Sequence, residues 1–290
     1  MDDPMRRRNV LFLFLFAVLT LAMPGLRADD VKFPLQSNSV RFAAIGDMGT
    51  GEPLQYAIAE QMLKSRQDFP FSFVIMLGDN IYGGSKPADF EKKFAVPYKS
   101  LLDAGVTFYA ALGNHDNTNE RFYKLFNMNG ESYYTYKKGN VRFFVLNSNY
   151  MDPKQLAWLE GQLRDAGNGG WKICYFHHPL YSSGQFHGPS LDLRKLLEPL
   201  LVKYGVDVVF SGHDHVYERI RPQQGIYYFM EGASGELRPG NLAHTAITEK
   251  GFDTDRSFVL SEIAGDDMYF ETISRTGETV DSGVIHRTIR

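Results

Sequence analysis

The sequence predicts an α/β fold, specifically a four-layer αββα sandwich of two mixed β-sheets flanked by helices. Up to Phe210, short apolar runs alternate with longer amphipathic segments, which is the pattern of successive βα units. From Val216 onward the pattern is mostly that of strands separated by turns. No Pro/Ser-rich linker divides the chain after its N-terminal leader, so we expect a single domain over residues 36–290.

The N-terminal leader has the order of charged, apolar and small residues that is typical of a secretory signal peptide. Arg6–Arg8 precede the apolar run Leu11–Ala22, and small residues follow up to Ala28. The apolar run is shorter than the ~20 residues that a helix needs to span a bilayer. We therefore expect residues 1–28 to be a signal peptide and the cleaved protein to be secreted or periplasmic, with no stable membrane span. An uncleaved membrane anchor is the alternative.

The first part of the chain predicts three strands, with a helix between the first two. The strands are Ser39–Ile45, Phe71–Leu77 and Gly105–Leu112. Apolar residues recur at helical spacing in Leu54–Arg66, which predicts a surface helix. A short helix is predicted over Asn119–Phe126.

In the rest of the chain, predicted strands and helices continue to alternate, and the C-terminal part contains predicted strands only. Tyr133–Lys137 and Val141–Asn147 flank a Lys-Gly-Asn segment that is typical of a hairpin turn. Helices are predicted at Pro153–Leu163, where the proline suits the first turn, and at Leu191–Tyr204. Further strands are predicted at Trp171–Phe176, Val206–Phe210, Ile226–Glu231, Ser257–Ile263, Met268–Ile273 and Thr279–Ile285.

The composition excludes some classes of protein. Of the 290 residues, 43% are hydrophobic and 22% are charged, which is ordinary for a globular protein. A net charge of -3 predicts neither a strong nucleic-acid binder nor a polybasic membrane surface. The single cysteine, Cys174, cannot form an intrachain disulfide, and we expect it to be a buried strand residue.

Five of the predicted strands lead directly into polar residues that can bind metal ions. Each cluster alone is compatible with an ordinary turn, but five of them at the same end of successive strands favour a common site. His213 and His215 point to the same side if their segment is extended, because side chains alternate along a strand. The clusters are Gly46–Gly49, Gly78–Tyr82, Gly113–Asp116, His177–Pro179 and Ser211–His215.

The residue types in these clusters restrict the metal. The sequence has no clustered thiolates, which disfavours a structural zinc site. Carboxylate, imidazole and amide ligands suit iron, manganese or zinc in a catalytic setting. Two such ions close together can hold both the attacking and the leaving oxygen of an in-line displacement at phosphorus.

Taken in order, these motifs resemble those of the metallophosphoesterase (calcineurin-like) superfamily, and within it those of the purple acid phosphatases. Most of the superfamily has Asp-x-His in the first motif, whereas Gly49 takes the histidine position here and Tyr82 is present in Gly-Asp-x-x-Tyr. A phenolate is a hard anionic ligand that favours iron(III). Because Asp47 follows Ala28 closely, the resemblance is to the small, tartrate-resistant type.

The resemblance implies a dinuclear metal centre of Fe(III) and a divalent ion, which is Fe, Zn or Mn, in a single metallophosphoesterase catalytic domain. A hydroxide bound to the metals would attack phosphorus. Asp79 would bridge the two ions. The implied ligands are Asp47, Asp79, Tyr82 and His215 for Fe(III), and Asp79, Asn114, His177 and His213 for the divalent ion.

Other polar residues near the motifs receive supporting roles. The resemblance makes His115 and His187 candidates for binding the phosphate and for protonating the leaving group. His178 has no clear family role. It is expected either to have a structural role or to contact the metal ligands without binding a metal ion itself. Asp116 and Asp214 are expected to orient histidines by accepting their hydrogen bonds.

The implied function is acid phosphatase activity, the hydrolysis of phosphate monoesters on a small phosphorylated substrate, with no nucleic acid as structural partner. Three alternatives stay open: a secreted phosphodiesterase of the same superfamily acting on nucleotides or phospholipid head groups, a secreted binding protein without turnover, and an anchored sandwich with incidental histidines. The physiological substrate and the oligomeric state are left open.

Two structural expectations complete the sequence analysis. The strands within Ile226–Arg290 are expected to complete the second sheet of the sandwich. The aromatic side chains of Tyr150, Tyr181 and Phe186 are expected either to line the substrate pocket or to take part in ordinary packing.

Overall fold

The computed structural model describes residues 31–287, so the leader predicted over residues 1–28 lies outside the described part of the chain. In chain order the strands and helices are β1 (Val40–Ile45), α1 (Pro53–Ser65), β2 (Phe73–Met76), α2 (Pro87–Phe90), α3 (Lys99–Asp103), β3 (Thr107–Ala110), β4 (Tyr134–Lys138), β5 (Val141–Val145), α4 (Pro153–Ala166), β6 (Trp171–Tyr175), α5 (Leu191–Lys203), β7 (Val208–Ser211), β8 (Tyr217–Gln223), β9 (Ile226–Glu231), β10 (Thr248–Phe252), β11 (Ser257–Ala264), β12 (Asp267–Ser274) and β13 (Thr279–His286).

Two mixed sheets are formed by these strands. The first has the order β13-β12-β11-β1-β2-β3, in which β1, β2 and β3 are parallel and the other pairs are antiparallel. The second has the order β10-β8-β9-β7-β6-β5-β4, with β5, β6, β7 and β9 parallel. Each parallel part therefore directs several strand ends towards one side, where ligands gather in α/β folds.

The C-terminal strands are divided between the two sheets, which corrects the expectation that they would all complete the second one. β8, β9 and β10 join the second sheet, but β11, β12 and β13 extend the first. β1 pairs with β11 over five of its six residues, from Val40 opposite Ile263 to Ala44 opposite Val259. Every residue of β11 is buried, which suits a strand inside a sheet that is covered on both faces.

Aromatic rings fill the layer between the two sheets. Phe42 on β1 lies 5.4 Å from the Phe73 ring in its own sheet, and 5.6 and 6.0 Å from Phe143 and Phe210 in the other sheet, measured between centroids. These rings are completely or almost completely buried. Burial of such rings supplies much of the hydrophobic stabilisation of a sandwich core.

Helices cover the two outer faces. On α1, Ile58 and Met62 pack in one buried cluster with residues of the first sheet. On α4 and α5, buried leucines pack in another cluster with residues of the second sheet, including Cys174, which is buried as predicted. The four-layer αββα architecture predicted from the sequence is therefore confirmed. Among the described residues, no helix is both long enough and apolar enough to cross a membrane.

Most predicted elements are present with ends shifted by one or two residues. The sequence analysis missed α2, α3, β8 and β10. β8 carries charged or amide side chains in four of its seven positions, and β10 lies at an edge with no buried residue, so neither has a clear apolar alternation. The helix predicted over Asn119–Phe126 is a pair of 3₁₀ turns, Thr118–Phe122 and Lys124–Phe126.

Candidate metal centre

The loops after β1, β2 and β7 place their polar side chains through unusual backbone conformations. Asp47, Asp79 and His213 have φ values of 54°, 53° and 77°, in the left-handed region that residues other than glycine rarely occupy. Each such residue costs on the order of 1–3 kcal/mol and persists where surrounding contacts enforce it. All three residues belong to the predicted ligand set, so the backbone strain is located at the candidate metal centre.

Two glycines allow the loops to approach one another closely. A Cβ atom on Gly113 would stand 2.1 Å from Oδ1 of Asp79, and one on Gly212 would stand 2.4 Å from Oδ2 of Asp47. Both distances are far below van der Waals contact. Any larger residue at either position would displace a carboxylate of the site.

A first group of donor atoms, meaning here side-chain atoms that can offer a lone pair to a metal ion, lies where β1, β2 and β7 end. The Tyr82 hydroxyl lies 3.2 Å from Oδ1 of Asp47 and 3.3 Å from Nε2 of His215. The third side of this triangle, between Nε2 of His215 and Oδ1 of Asp47, is 3.4 Å long. Asp47 and His215 are buried and Tyr82 is half-buried, so the group lies largely within the protein.

A second group of donor atoms surrounds Nε2 of His177. This nitrogen lies 2.9 Å from Oδ1 of Asn114, 3.1 Å from Nδ1 of His213 and 3.4 Å from Oδ2 of Asp79. The four residues come from the ends of strands in both sheets, because Asp79 and Asn114 follow β2 and β3 while His177 and His213 follow β6 and β7. The second group therefore bridges the two halves of the sandwich.

Asp79 connects the two groups. One ligand atom each from Asp47, Asp79 and His177 lies within 4.8 Å of the other two, so the groups are adjacent. Burial and the charge of Asp79 raise the pKa of Asp47 well above its usual value. Burial likewise raises the pKa of Asp79. Two carboxylates held this close away from water favour a positive charge between them.

The histidines of the centre are held neutral. Burial, followed by the neighbouring His178, lowers the pKa of His177 well below its usual value. Burial and the neighbouring imidazoles lower the pKa of His213 to about 2. Neutral imidazole is the form that binds metal ions.

The donor set fits a metal ion. Nδ1 of His177 lies 3.0 Å from the Leu77 carbonyl oxygen, which can only accept, so this nitrogen carries the proton of the neutral ring. Nε2 of His177 therefore presents a lone pair to Oδ1 of Asn114 and Oδ2 of Asp79, which are acceptors as well. Converging lone pairs repel one another unless a cation lies among them, and a backbone carbonyl that fixes the imidazole tautomer is typical of metal sites.

The two predicted catalytic histidines lie on the open side of the centre. His115 is exposed, its backbone N–H donates to Oδ1 of Asp79 at 2.9 Å, and its ring lies 4.9 Å from the Tyr82 ring. His187 is exposed, and its ring lies 4.1 Å from that of His213. The structure thus brings all nine predicted ligand and catalytic residues together.

The predicted roles of Asp116 and Asp214 need correction. In the described part of the chain, neither carboxylate forms a hydrogen bond with an imidazole ring. Asp116 accepts backbone N–H bonds from the loops after β2 and β3, and Asp214 accepts the backbone N–H groups of His187 and Gly188. The loops need these acceptors because their buried N–H groups have no ladder partners. Asp214 therefore positions His187 through the main chain.

His178 and the three pocket aromatics take different places. Nδ1 of His178 lies 2.9 Å from the Ser148 hydroxyl, and both residues line a cleft of 450 Å³ beside Asn114. Tyr150 lines the same cleft and is exposed. Tyr181 instead belongs to packing against Tyr228. Phe186 is exposed and its ring lies 4.6 Å from that of His187.

The sequence analysis missed two residues at the centre. Asn80 is completely buried, and its amide donates to Ala111 O and to Oδ2 of Asp116, which ties the loop after β2 to the loop after β3. Its place inside the Gly78–Tyr82 motif was a usable signal. Arg238 donates from Nε to Nδ1 of His215 at 3.3 Å. No spacing pattern pointed to it, because it lies in an irregular segment between β9 and β10.

Comparison with known families agrees with this geometry. Residues 40–217 match the family described as calcineurin-like phosphoesterase, which is more than half of the chain. The chain therefore belongs to this family and is a phosphoesterase. The family resemblance predicted from the motifs is confirmed, and the family implies a dinuclear metal site, for which the Asp and His groups described above are candidates.

Individual relatives narrow the resemblance to the acid phosphatases. The chain is 28% identical over 253 residues to tartrate-resistant acid phosphatase type 5 of Oryctolagus cuniculus, covering 72% of this chain and 77% of that protein. A purple acid phosphatase from yellow lupin (Lupinus luteus) seeds has a TM-score of 0.72 at 21% identity, covering 88% of this chain and 55% of that chain. GAP50 of Plasmodium, described as the anchor in the inner membrane complex, has a TM-score of 0.76 at 21% identity. The match covers 86% of this chain and 89% of the GAP50 chain.

Proposed function

We propose that this protein is an acid phosphatase that hydrolyses phosphate monoesters at a dinuclear metal centre. The observation that carries the proposal is that two groups of donor atoms meet at Asp79. The rabbit relative is named an acid phosphatase and the lupin relative a purple acid phosphatase, and this supports the same activity here.

In this proposal Asp47, Tyr82 and His215 hold Fe(III), and Asp79 is shared with the second ion. Asn114, His177 and His213 complete the second site, which takes divalent Fe, Zn or Mn. When bound, the two ions supply Lewis-acid charge that neutralises the phosphoryl oxygens and activates the attacking water. The ligand set is anionic at the first site and mostly neutral at the second, which suits a trivalent and a divalent ion respectively.

The two exposed histidines act on the substrate. His115 and His187 donate hydrogen bonds to the phosphoryl oxygens, and one of them gives a proton to the leaving oxygen. His187 is well placed for this because Asp214 fixes its backbone while its ring stays open to solvent. Proton donation requires the imidazolium form, so the activity is expected to be greatest at acidic pH.

Two alternative functions, a binding protein without turnover and a phosphodiesterase, are distinguished from an acid phosphatase by the experiment described below. A binding protein without turnover is a serious rival because the fold alone does not define activity, as the anchor GAP50 illustrates. The complete donor set favours an enzyme, since a binding role needs no such set. A phosphodiesterase would use the same metal ligands and differ in the shape of its pocket.

The deciding experiment combines metal analysis with turnover. We expect purified protein to contain about two metal ions per chain and to hydrolyse an aryl phosphate much faster than the matching bis-aryl phosphate, with an acidic pH optimum. Asp79→Asn should lose both metal and turnover, whereas Asp192→Asn, at an exposed carboxylate of α5, should lose neither. Metal-replete protein without turnover on either ester would overturn the enzyme proposal, and preference for the bis-ester would favour the phosphodiesterase.

Export is part of the same proposal. We infer that residues 1–28 direct secretion or transport to the periplasm and are removed, on the basis of the charged, apolar and small-residue order of the leader. N-terminal sequencing of the exported protein should begin at Asp29. Recovery of the full-length chain in the membrane fraction would instead support the anchor.

A further inference from the structure

The cleft of 450 Å³ beside Asn114 is continuous with the second group of donor atoms. Asn114 itself lines the cleft, and its Oδ1 belongs to that group. His178 lines the cleft too, and its ring lies 4.4 Å from the His213 ring and 5.0 Å from the His177 ring. The volume is within the range of about 300–1,000 Å³ that is usual for small-ligand pockets. The cleft therefore has room for a group attached to a phosphate at the metal centre.

Ser148 fixes the tautomer of His178 in this cleft. The hydroxyl oxygen of Ser148 accepts the backbone N–H of His178 at 3.1 Å, and it lies 2.9 Å from Nδ1 of the same residue. Within residues 31–287 this hydroxyl contacts no other acceptor, so it donates its proton to Nδ1. The neutral ring then carries its own proton on Nε2, which has no hydrogen-bond partner in the same range. His178 thus provides the cleft with an N–H donor.

Two hydroxyl side chains that line the cleft form no hydrogen bond within the described part of the chain. Ser190 is the N-cap residue of α5, where a serine hydroxyl usually accepts an N–H of the first helical turn, but its side chain does not cap this helix. Thr118 begins the 3₁₀ turn after the third motif and is exposed. Each hydroxyl can donate one hydrogen bond and accept others, so both are available to a ligand.

The charges of the lining favour a neutral ligand group. No lysine or arginine is among the described residues that line the cleft, so a second anion finds no cationic side chain there. The one carboxylate in the lining is that of Asp116, and it already accepts four N–H hydrogen bonds from the loops after β2 and β3. A cationic ligand would have to compete with these donors. The remaining polar groups are neutral and suit hydroxyls, which both donate and accept.

An aromatic ring completes the lining of the cleft. Tyr150 is 74% exposed, so its ring is not used in core packing. An exposed tyrosine combines an apolar ring face with a polar hydroxyl. This combination suits a sugar or another cyclic polyol, whose C–H groups can lie against the ring while its hydroxyls form hydrogen bonds with the polar part of the cleft.

We propose that this cleft binds the leaving group of the substrate and that the leaving group is a small polyhydroxylated alcohol, so that sugar phosphates are favoured over alkyl phosphates. This inference rests on the proposed phosphatase function. The hydroxyls of a sugar can pair with the N–H of His178 and with the hydroxyls of Thr118 and Ser190. An alkyl group would cover these polar groups without forming hydrogen bonds with them, which costs free energy.

The test uses metal-loaded protein and three non-hydrolysable ligands: the methylenephosphonate analogue of glucose 6-phosphate, hexylphosphonate and methylphosphonate. Titration calorimetry measures their binding without any turnover. We expect wild type to bind the sugar phosphonate about tenfold or more tightly than hexylphosphonate. Ser190→Ala and His178→Phe, which keeps a planar ring without N–H groups, should each weaken the sugar phosphonate about three- to tenfold and methylphosphonate less than about twofold. Ser148→Ala should give a smaller selective loss, because the His178 ring is then free to take either tautomer.

The controls separate recognition in the cleft from damage to the metal centre. Ser100→Ala, at an exposed serine of α3, should leave the binding of all three ligands unchanged. Metal content is measured for each variant, because His178 adjoins the proposed ligand His177. If His178→Phe loses metal, Ser190→Ala decides the outcome, since Ser190 lies outside both groups of donor atoms.

Three results would overturn the proposal. The first is that wild type binds hexylphosphonate as tightly as the sugar phosphonate, which would assign the cleft to an apolar leaving group. The others are that Ser190→Ala weakens all three ligands equally or weakens none of them. If wild type fails to hydrolyse phenyl phosphate, the phosphatase function fails separately, because the calorimetry reports binding alone.

Discussion

Nε2 of His177 lies 2.9 Å from the side-chain oxygen of Asn114, although the tautomer of the ring makes both atoms acceptors. The same nitrogen lies 3.4 Å from a carboxylate oxygen of Asp79. Such a cluster is stable when a cation is coordinated by all three atoms, and otherwise each buried lone pair costs free energy. His177 is accordingly the residue on which occupancy of the second site depends most directly.

We predict that His177→Ala loses the second ion and keeps the first. Elemental analysis should show a fall from about two metal ions per chain to about one, since the ligands of the first site are untouched. His286→Ala is the matched control, because His286 is exposed and pairs with Asp267 on the outer strands. Loss of both ions, with folding intact by circular dichroism, would mean that the two sites fill together.

A second prediction concerns the phenol of the first site. After loading with iron and oxidation, wild type should show a visible phenolate-to-iron absorption band, and Tyr82→Phe should abolish it while leaving the fold intact. The Tyr82 hydroxyl is the group within 3.3 Å of both Asp47 and His215. Tyr150→Phe, at an exposed tyrosine, should keep the band. A wild type without any such band would contradict the iron–tyrosinate assignment.

The strand pattern located the polar clusters of the site because the chemistry lies at the ends of apolar strands, whereas the choice of ligands within those clusters came from the family resemblance. Asp47, Asp79 and His177 each follow such a strand within a few residues, so local pattern and strand polarity were sufficient to place them at one edge. Their left-handed backbone conformations were not visible in the sequence, because Asp and His there are stabilised by contacts with distant loops.

The sequence could not indicate which strands far apart in the chain pair with each other in a sheet. A period-two pattern identifies β11 as a strand, but it does not say whether Ser257–Ala264 pairs with β1 or with a neighbour in the second sheet. Arg238 was missed for a related reason, since its contact with Phe186 joins two irregular loops far apart in sequence. Such contacts depend on the assembled sandwich.

The layer between the sheets provides a prediction about stability. Phe42→Ala should destabilise the protein by about 3–5 kcal/mol, because it removes a buried ring that contacts both sheets and leaves a cavity. Denaturant unfolding of the metal-free proteins measures the difference. Phe122→Ala, which truncates an exposed phenylalanine, should cost less than about 1 kcal/mol. Similar losses for both variants would argue against the sheet interface as the main core.

The final prediction concerns Glu231, a completely buried carboxyl at the end of β9. It is in hydrogen-bond contact with the Ala233 N–H and the Ser257 hydroxyl, but burial raises its pKa from 4.5 to about 8. A carboxyl whose pKa is higher in the folded chain binds its proton more tightly there. The stability that this proton supplies is therefore fully present below pH 4.5 and is lost as the pH rises through about 8.

Glu231→Gln should remove this pH dependence, because the amide resembles the protonated carboxyl and does not ionise. We expect the free energy of unfolding of metal-free wild type to fall by on the order of 4 kcal/mol between the two pKa values, and that of Glu231→Gln to change much less. Glu278→Gln, at an exposed glutamate, should behave like wild type. Chemical denaturation at several pH values makes the comparison, and parallel pH profiles for wild type and Glu231→Gln would show that this carboxyl is not held protonated in the folded chain.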